Sequence, residues 1–233
     1  MNSSRHIIKD FDTSLEELKG GVLTMAAKTR HNLERSIQAL LKRDRELANS
    51  VIVDDDEVDE FEREIDKRGM DVLVKYHPLA SDLRLVVTSM KISMNLERIS
   101  DHAVNIAKRT KKIIATAELA DVTLVEPVYA LADNLLRDAI SSYSDGNSTL
   151  GASLHARDKE LDKIHKSVTA QFGERIEDTV GRSQEYLHLI FIVRSLERIG
   201  DLSSNIGEDS VYLEHAKDLR HKSKGERKLP EQG

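Results

Sequence analysis

The feature that most constrains this chain is an internal duplication. The segment Leu-Glu-Arg-Ile-Ser-Asp at 96–101 recurs as Leu-Glu-Arg-Ile-Gly-Asp at 196–201, an offset of 100 residues. Upstream, Asp-Asp-Glu-Val-Asp at 55–59 matches Asp-Lys-Glu-Leu-Asp at 158–162, an offset of 103. Two matches in the same order and at nearly the same offset indicate that one structural unit occurs twice.

Composition indicates that the repeated unit is helical. Charged residues make up 33% of the chain and aromatic residues 4%, and there is no Trp, whereas β-strands favour aromatic and β-branched residues. The three prolines, Pro78, Pro127 and Pro230, leave long stretches without a helix breaker. We therefore predict an all-α fold of two tandem, structurally similar, antiparallel three-helix bundles. The bundles are expected at 1–118 and 119–217, followed by a polar tail at 218–233.

Apolar residues at helical spacing predict three helices in each copy. In the first copy these span about 13–44, 46–76 and 81–116, with Ser81 and Asp82 as candidate N-caps of the third. In the second copy they begin near residues 126, 145 and 183. Four methionines are predicted to lie in the helix cores: Met25, Met70, Met90 and Met94.

Charge and cysteine content exclude several functions. The net charge of −6 argues against general nucleic-acid binding. The absence of cysteine excludes disulfides, zinc–thiolate sites and iron–sulfur clusters, so any metal must be held by oxygen or imidazole. No apolar run approaches the length of a membrane span, and the N-terminus lacks the apolar core of a signal peptide. We expect a cytoplasmic protein.

Acidic side chains follow the core residues on two helices of each copy. Glu97 and Asp101 are four residues apart on the third predicted helix and share a face next to its core stripe. Asp55 and Asp59 have the same relationship on the second, where Glu62 also follows a core residue. The candidate ligands of the first copy are Asp55, Asp59, Glu62, Glu97 and Asp101. Those of the second copy are Asp158, Asp162, His165, Glu197 and Asp201.

Converging carboxylates repel one another unless they are protonated or bridged by a cation. All-oxygen ligation suits hard cations such as Mg²⁺, Ca²⁺ and Mn²⁺, and also iron. The competing interpretation is a solvated helix face, on which Glu97 pairs with Arg98 or Arg84 and Glu197 pairs with Arg194. That interpretation is weakened because the pattern occurs four times in duplicated register.

The duplicated motifs resemble those of the PhoU family of phosphate-uptake regulators. The segments at 96–101 and 196–201 are similar to its Leu-Glu-Arg-Ile-Gly-Asp motif, and 78–84 is similar to its Pro-x-Ala-Ser-Asp-Leu-Arg segment. The elements at 55–59 and 158–162 match its Glu/Asp-x-x-x-Asp pattern. Two departures are Ser100, where the family has Gly, and His165, where the first copy has an acid. The latter implies a second site with less negative charge.

The resemblance implies a fold of two three-helix bundles that bind multinuclear metal clusters at the surface. Iron, zinc, manganese, magnesium and nickel are the candidate ions. It also implies a cytoplasmic homodimer that acts as a negative regulator of the phosphate response. Such a protein would link a phosphate ABC transporter ATPase to a membrane sensor histidine kinase, peripheral to the membrane through these partners, without binding nucleic acid.

The resemblance does not imply an enzyme. The alternative is a carboxylate-bridged di-metal enzyme of the ferritin or oxygenase kind. Such enzymes use Glu-x-x-His pairs that face into a four-helix core. Neither copy has that pair on two helices, and each has three predicted helices.

Overall fold

The computed structural model describes residues 2–217 of the chain, and the side chains from residue 9 onward. The predicted tail at 218–233 lies outside the described residues. Within the described part no β-strand is present, and the chain forms six long α-helices. They are α1 (Asn2–Lys42), α2 (Arg45–Tyr76), α3 (Ala80–Ile113), α4 (Glu126–Ser144), α5 (Ser148–Asp178) and α6 (Ser183–His215), with a 3-10 turn (Ala120–Val125) before α4. The all-α prediction is confirmed.

Local chemistry sets the boundaries of α2 and α5. The Asp44 carboxylate accepts a hydrogen bond from the backbone N–H of Leu47 and caps α2. Asn147 caps α5 in the same way through the N–H of Leu150, so this helix begins three residues later than predicted. His77 ends α2 in the left-handed region, with φ of 50°, directly before Pro78.

Two further predictions about helix starts were wrong. α1 begins at Asn2, well before the predicted residue 13. The N-cap of α3 is Leu79, whose side chain makes no capping hydrogen bond, so Ser81 and Asp82 lie inside the helix. Leu79 itself is extended, with φ of −122° and ψ of 160°, and α3 begins at the next residue.

The helices form two three-helix bundles that share one core. α1, α2 and α3 pack on one another, as do α4, α5 and α6. The most extensive interface between the two bundles is formed by α3 and α6. Buried side chains from both bundles join in one continuous apolar cluster. The paired helices α3 and α6 run antiparallel, because Arg84 reaches the carbonyl of Leu213 whereas Arg109 lies beside His188.

Polar contacts also join the bundles. The Arg30 guanidinium on α1 donates two hydrogen bonds, of 2.7 and 2.9 Å, to the Asp133 carboxylate on α4. The buried Tyr143 hydroxyl on α4 lies 2.7 Å from Ser89 Oγ on α3. These contacts fix the two repeats in one arrangement.

The methionine prediction was half correct. Met25 is fully buried and Met90 is packed against the core. Met70 and Met94, in contrast, are 52% and 43% exposed. Helical spacing alone does not separate the edge of a core stripe from its centre.

Candidate functional site

The predicted acidic residues of the first repeat lie together where α2 faces α3. Glu97 on α3 is close enough to Asp55, Asp59 and Glu62 on α2, and to Asp101 one turn away, to be repelled by all four. Burial, reinforced by these neighbours, raises the pKa of Glu97 to about 7. Burial likewise raises the pKa of Asp55 and of Glu62. We call these five residues the first carboxylate cluster.

The second repeat forms a corresponding cluster between α5 and α6. Asp158 on α5 is repelled by Asp201, Asp162 and Glu197, and Glu197 is also close to His165. Burial is the larger cause and, with these neighbours, raises the pKa of Asp158 to about 7. We call these five residues the second carboxylate cluster. The structure therefore brings together the predicted candidates of each repeat.

The two clusters differ at the position where their motifs differ. Ser100 Oγ donates a hydrogen bond of 2.6 Å to Asp55 Oδ1 in the first cluster. Gly200 occupies the equivalent position in the second, where a Cβ would lie 2.8 Å from Asp158 Oδ1 and 2.3 Å from Leu161 Cδ2. Glycine thus allows α5 to approach α6 closely, but it offers no hydroxyl to the carboxylate. Asp158 Oδ1 is buried and has no hydrogen-bond partner among the described residues.

Basic residues neutralise the clusters unequally. Among residues 9–217 no carboxylate of the first cluster has a Lys, Arg or His nitrogen within 4.0 Å. In the second cluster the Arg198 guanidinium lies 3.3 Å from Asp201 and 3.6 Å from Glu197. The pairs that the competing interpretation requires, Glu97 with Arg98 or Arg84 and Glu197 with Arg194, are absent from this part of the chain. The first cluster carries its negative charge without a close counter-ion.

The donor set fits a hard cation, although the side chains do not yet surround one. Carboxylate oxygens predominate, and one of them, Asp158 Oδ1, is buried without a partner, which costs free energy that a bound cation would recover. In the described part of the chain, no three His, Asp or Glu side chains are arranged to hold an ion as they stand. Ligation would therefore require side-chain rotation.

A groove between the bundles connects the two clusters. It has a volume of about 860 Å³ and is lined by residues of α3, α5 and α6. Asp101 of the first cluster, and Asp158 and Asp201 of the second, lie on its walls. The other candidate residues do not line it. Each cluster thus places at least one carboxylate on the wall of the same groove.

Comparison with known proteins agrees with the repeat and the fold. The sequence matches the PhoU domain family over residues 22–110 and again over 126–210. The chain belongs to the PhoU family. This confirms the resemblance inferred from the duplicated motifs, and the two matched segments contain both carboxylate clusters.

Members of the PhoU family with similar sequences and structures come from several bacteria. A phosphate-specific transport system accessory protein PhoU homolog of Pseudomonas putida is 31% identical over 219 residues, covering 94% of this chain and 86% of that protein. The crystal structure of PhoU from Pseudomonas aeruginosa superposes with a TM-score of 0.85 at 28% identity, covering 89% of this chain and all of that one. The crystal structure of the phosphate transport system regulatory protein PhoU from Streptococcus pneumoniae superposes with a TM-score of 0.82 at 25% identity, covering 90% of this chain and 99% of that one.

Sequence reasoning assigned no role to the other polar residues that line the groove. His102 lies there with Nδ1 buried and without a partner among the described residues, and the equivalent position in the second repeat is Leu202. Glu208 and Asp209 of α6 are buried at one end of the groove, where Lys91 Nζ lies 3.5 Å from Asp209 Oδ1. The only available signal was that residues 208 and 209 are acidic whereas their counterparts 108 and 109 are basic.

Proposed function

We propose that this chain is an accessory protein of a phosphate-specific transport system that restrains phosphate uptake and the phosphate response. Its family membership supports this proposal, as do relatives that carry that accessory name over nearly their full length. A regulatory rather than catalytic role agrees with those names.

The proposal assigns cation binding to the two carboxylate clusters. One observation carries this assignment. In each repeat the duplicated motifs bring acidic side chains from two helices so close together that their repulsion, added to burial, raises the pKa of Glu97 in the first cluster and of Asp158 in the second. A multivalent cation would remove the repulsion, would satisfy Asp158 Oδ1 and would tie α2 to α3 and α5 to α6. When bound, such ions supply positive charge that the clusters themselves lack, and more than one ion per cluster is expected because of the number of donors.

The proposal also includes partners at exposed apolar positions. Val74 at the end of α2 and Leu79 in the following turn are 68% and 78% exposed, and Leu83 on α3 is 40% exposed. A contiguous exposed apolar patch marks a site of protein interaction, and we infer that these three side chains form one. We assign this end of the first bundle to an ABC transporter ATPase or a sensor histidine kinase of the phosphate response. The protein is expected to act as a cytoplasmic homodimer, held at the membrane by its partners. No described helix is long and apolar enough to cross a membrane.

Two measurements test this function. Elemental analysis of purified protein should show bound metal that falls when Asp101→Asn or Asp201→Asn removes one ligand from the first or second cluster. Full metal content in both variants would reject these ligands. In a bacterial strain that lacks its own PhoU-family protein, the chain should restore repression of a phosphate-starvation promoter in phosphate-rich medium. A reporter that stays active with the folded wild-type chain present would reject the regulatory role.

A further inference from the structure

The groove between α3 and α6 carries different charges at two ends that the duplication makes equivalent. The repeat offset of 100 relates Lys91 to Phe191 and Arg109 to Asp209. Because the helices cross antiparallel, Lys91 meets Asp209 at one end, and Arg109 meets Phe191 at the other. The first end therefore carries a neutralised ion pair, and the second carries a cation on an aromatic ring.

Further cations surround the second end, which we call the basic end. A cavity of about 430 Å³ lies there between α3 and α6. Its walls are formed by His102, Asn105, Arg109, Phe191, Arg194, Ser195 and Arg198. No acidic residue is among them. Cavities of this size are typical of sites for small molecules.

The arginines of the basic end are only partly compensated. The Arg109 guanidinium lies 4.0 Å above the Phe191 ring and 3.3 Å from His188 Nδ1, and it has no carboxylate partner among residues 9–217. Arg194 makes no ion pair in that part of the chain either. Arg198 is paired with Glu197 and Asp201 of the second carboxylate cluster. Burial lowers the pKa of Arg109, so its half-buried charge costs free energy that a bound anion would recover.

Two acidic groups besides Glu197 and Asp201, which pair with Arg198, lie near the basic end. The Glu185 carboxylate interacts electrostatically with His188 on the same helix, but it lies 3.9 Å from the Arg182 guanidinium. The Asp101 carboxylate interacts electrostatically with His102, and it lies on the wall of the larger groove. At the opposite end of the groove, the position equivalent to Arg194 is Met94, and that of Arg109 is Asp209. The cationic surplus is therefore specific to one end.

We propose that the basic end of the α3–α6 groove binds a small oxyanion of the phosphate type. Guanidinium groups present planar forks of N–H donors that match phosphate oxygens, and Arg109, Arg194 and Arg198 approach the cavity from both helices. Asn105 and Ser195 place neutral hydrogen-bonding groups on its wall. The volume accommodates a diphosphate as well as a single phosphate. The site adjoins the second carboxylate cluster through Arg198, but its donors are basic and neutral side chains and the proposal invokes no metal.

The test is a calorimetric titration of inorganic phosphate and, separately, pyrophosphate into the full chain at constant ionic strength. The protein is first stripped with a chelator and dialysed, so that no ion in the carboxylate clusters can hold the anion and failure of metal binding does not affect the result. Saturable binding of either probe is expected, and the tighter one identifies the ligand. Absence of saturable binding of both probes overturns the proposal.

Two variants locate the site. Arg194→Gln removes an exposed arginine that makes no ion pair among the described residues, so the fold should survive, and at least tenfold weaker binding is expected. Arg68→Gln removes an arginine on the outer surface of the first bundle, paired with Glu64 and Glu17, and should leave binding unchanged. Arg109→Lys keeps the charge but loses the fork, and should also weaken binding. Equal binding by Arg194→Gln and Arg68→Gln overturns the assignment.

Discussion

Ser100 Oγ donates a 2.6 Å hydrogen bond to Asp55 Oδ1 across the α2–α3 interface. In the second repeat Gly200 leaves the equivalent carboxylate, Asp158, without such a donor and with its helix packed closer. The same backbone position thus satisfies an acid in one repeat and permits close helix packing in the other. The two clusters are related by duplication but differ in their energetics.

A methyl group at position 200 should separate α5 from α6. In Gly200→Ala the new Cβ would lie 2.3 Å from Leu161 Cδ2, and we expect a loss of about 1–3 kcal/mol in the free energy of unfolding. Metal bound by the second cluster should fall, while metal bound by the first should not. Urea denaturation and elemental analysis measure these effects. Gly173→Ala is the matched control, because nothing lies within 4 Å of its Cβ position and alanine favours a helix. Equal stability of the two variants would refute the packing argument.

The raised pKa of Asp158 should make the stability of metal-free protein depend on pH. Its folded-state pKa of about 7 lies above the ordinary value of 3.8, so ionisation penalises the folded state increasingly as pH rises between these values. Asp158→Asn lacks this penalty. Its stability relative to wild type should therefore improve from pH 4 to pH 8, by at most about 4 kcal/mol at about 1.4 kcal/mol per pKa unit. Denaturant titrations at several pH values measure the change, with Asp178→Asn at the exposed end of α5 as the charge-matched control. A relative stability of Asp158→Asn that is flat with pH would contradict the burial of this charge.

Bound cations should raise the melting temperature. An ion at 100 times its dissociation constant stabilises a protein by about 2.7 kcal/mol, which is about 5–10 °C for a chain of this size. Calorimetric scans before and after chelation measure the shift. The double variant Asp101→Asn/Asp201→Asn should lose most of it. Identical melting of loaded and stripped wild-type protein would contradict metal binding at the clusters.

The buried contact between Tyr143 and Ser89 should couple the two bundles. Removing the hydroxyl in Tyr143→Phe leaves a buried serine with one partner fewer, and we expect a loss of about 1 kcal/mol. Ser89→Ala and the double variant complete a cycle whose interaction energy isolates the contact. Strictly additive effects in urea denaturation would show that the hydrogen bond contributes nothing.

The exposed apolar end of the first bundle should matter for regulation but not for metal. Val74→Glu places a charge on the patch while leaving both clusters untouched, so repression in the reporter strain should weaken at unchanged metal content. Val180→Glu alters an isolated valine, 99% exposed in the turn before α6, and serves as the control. If both variants repress equally, partners do not dock at this end.

The duplication and the apolar stripes predicted the bundles and the membership of both clusters, because the acids directly follow core residues on neighbouring helices. They did not predict the pairing of α3 with α6. The face of α3 that lines the groove beside α6 carries polar residues: Lys91, Asn95, His102 and Asn105. Residues of this kind are mostly exposed in proteins, so they gave no sign of a second interface. The Ser100 hydrogen bond was missed for the same reason.

The sharing of one apolar core by both repeats has a consequence for folding. Neither bundle can expose its α3 or α6 face without losing buried area that belongs to the other. Thermal denaturation should therefore follow a single cooperative transition, although the chain arose by duplication of a smaller unit. A gene fragment encoding one repeat would be expected to yield an aggregating or self-associating product rather than a stable monomer.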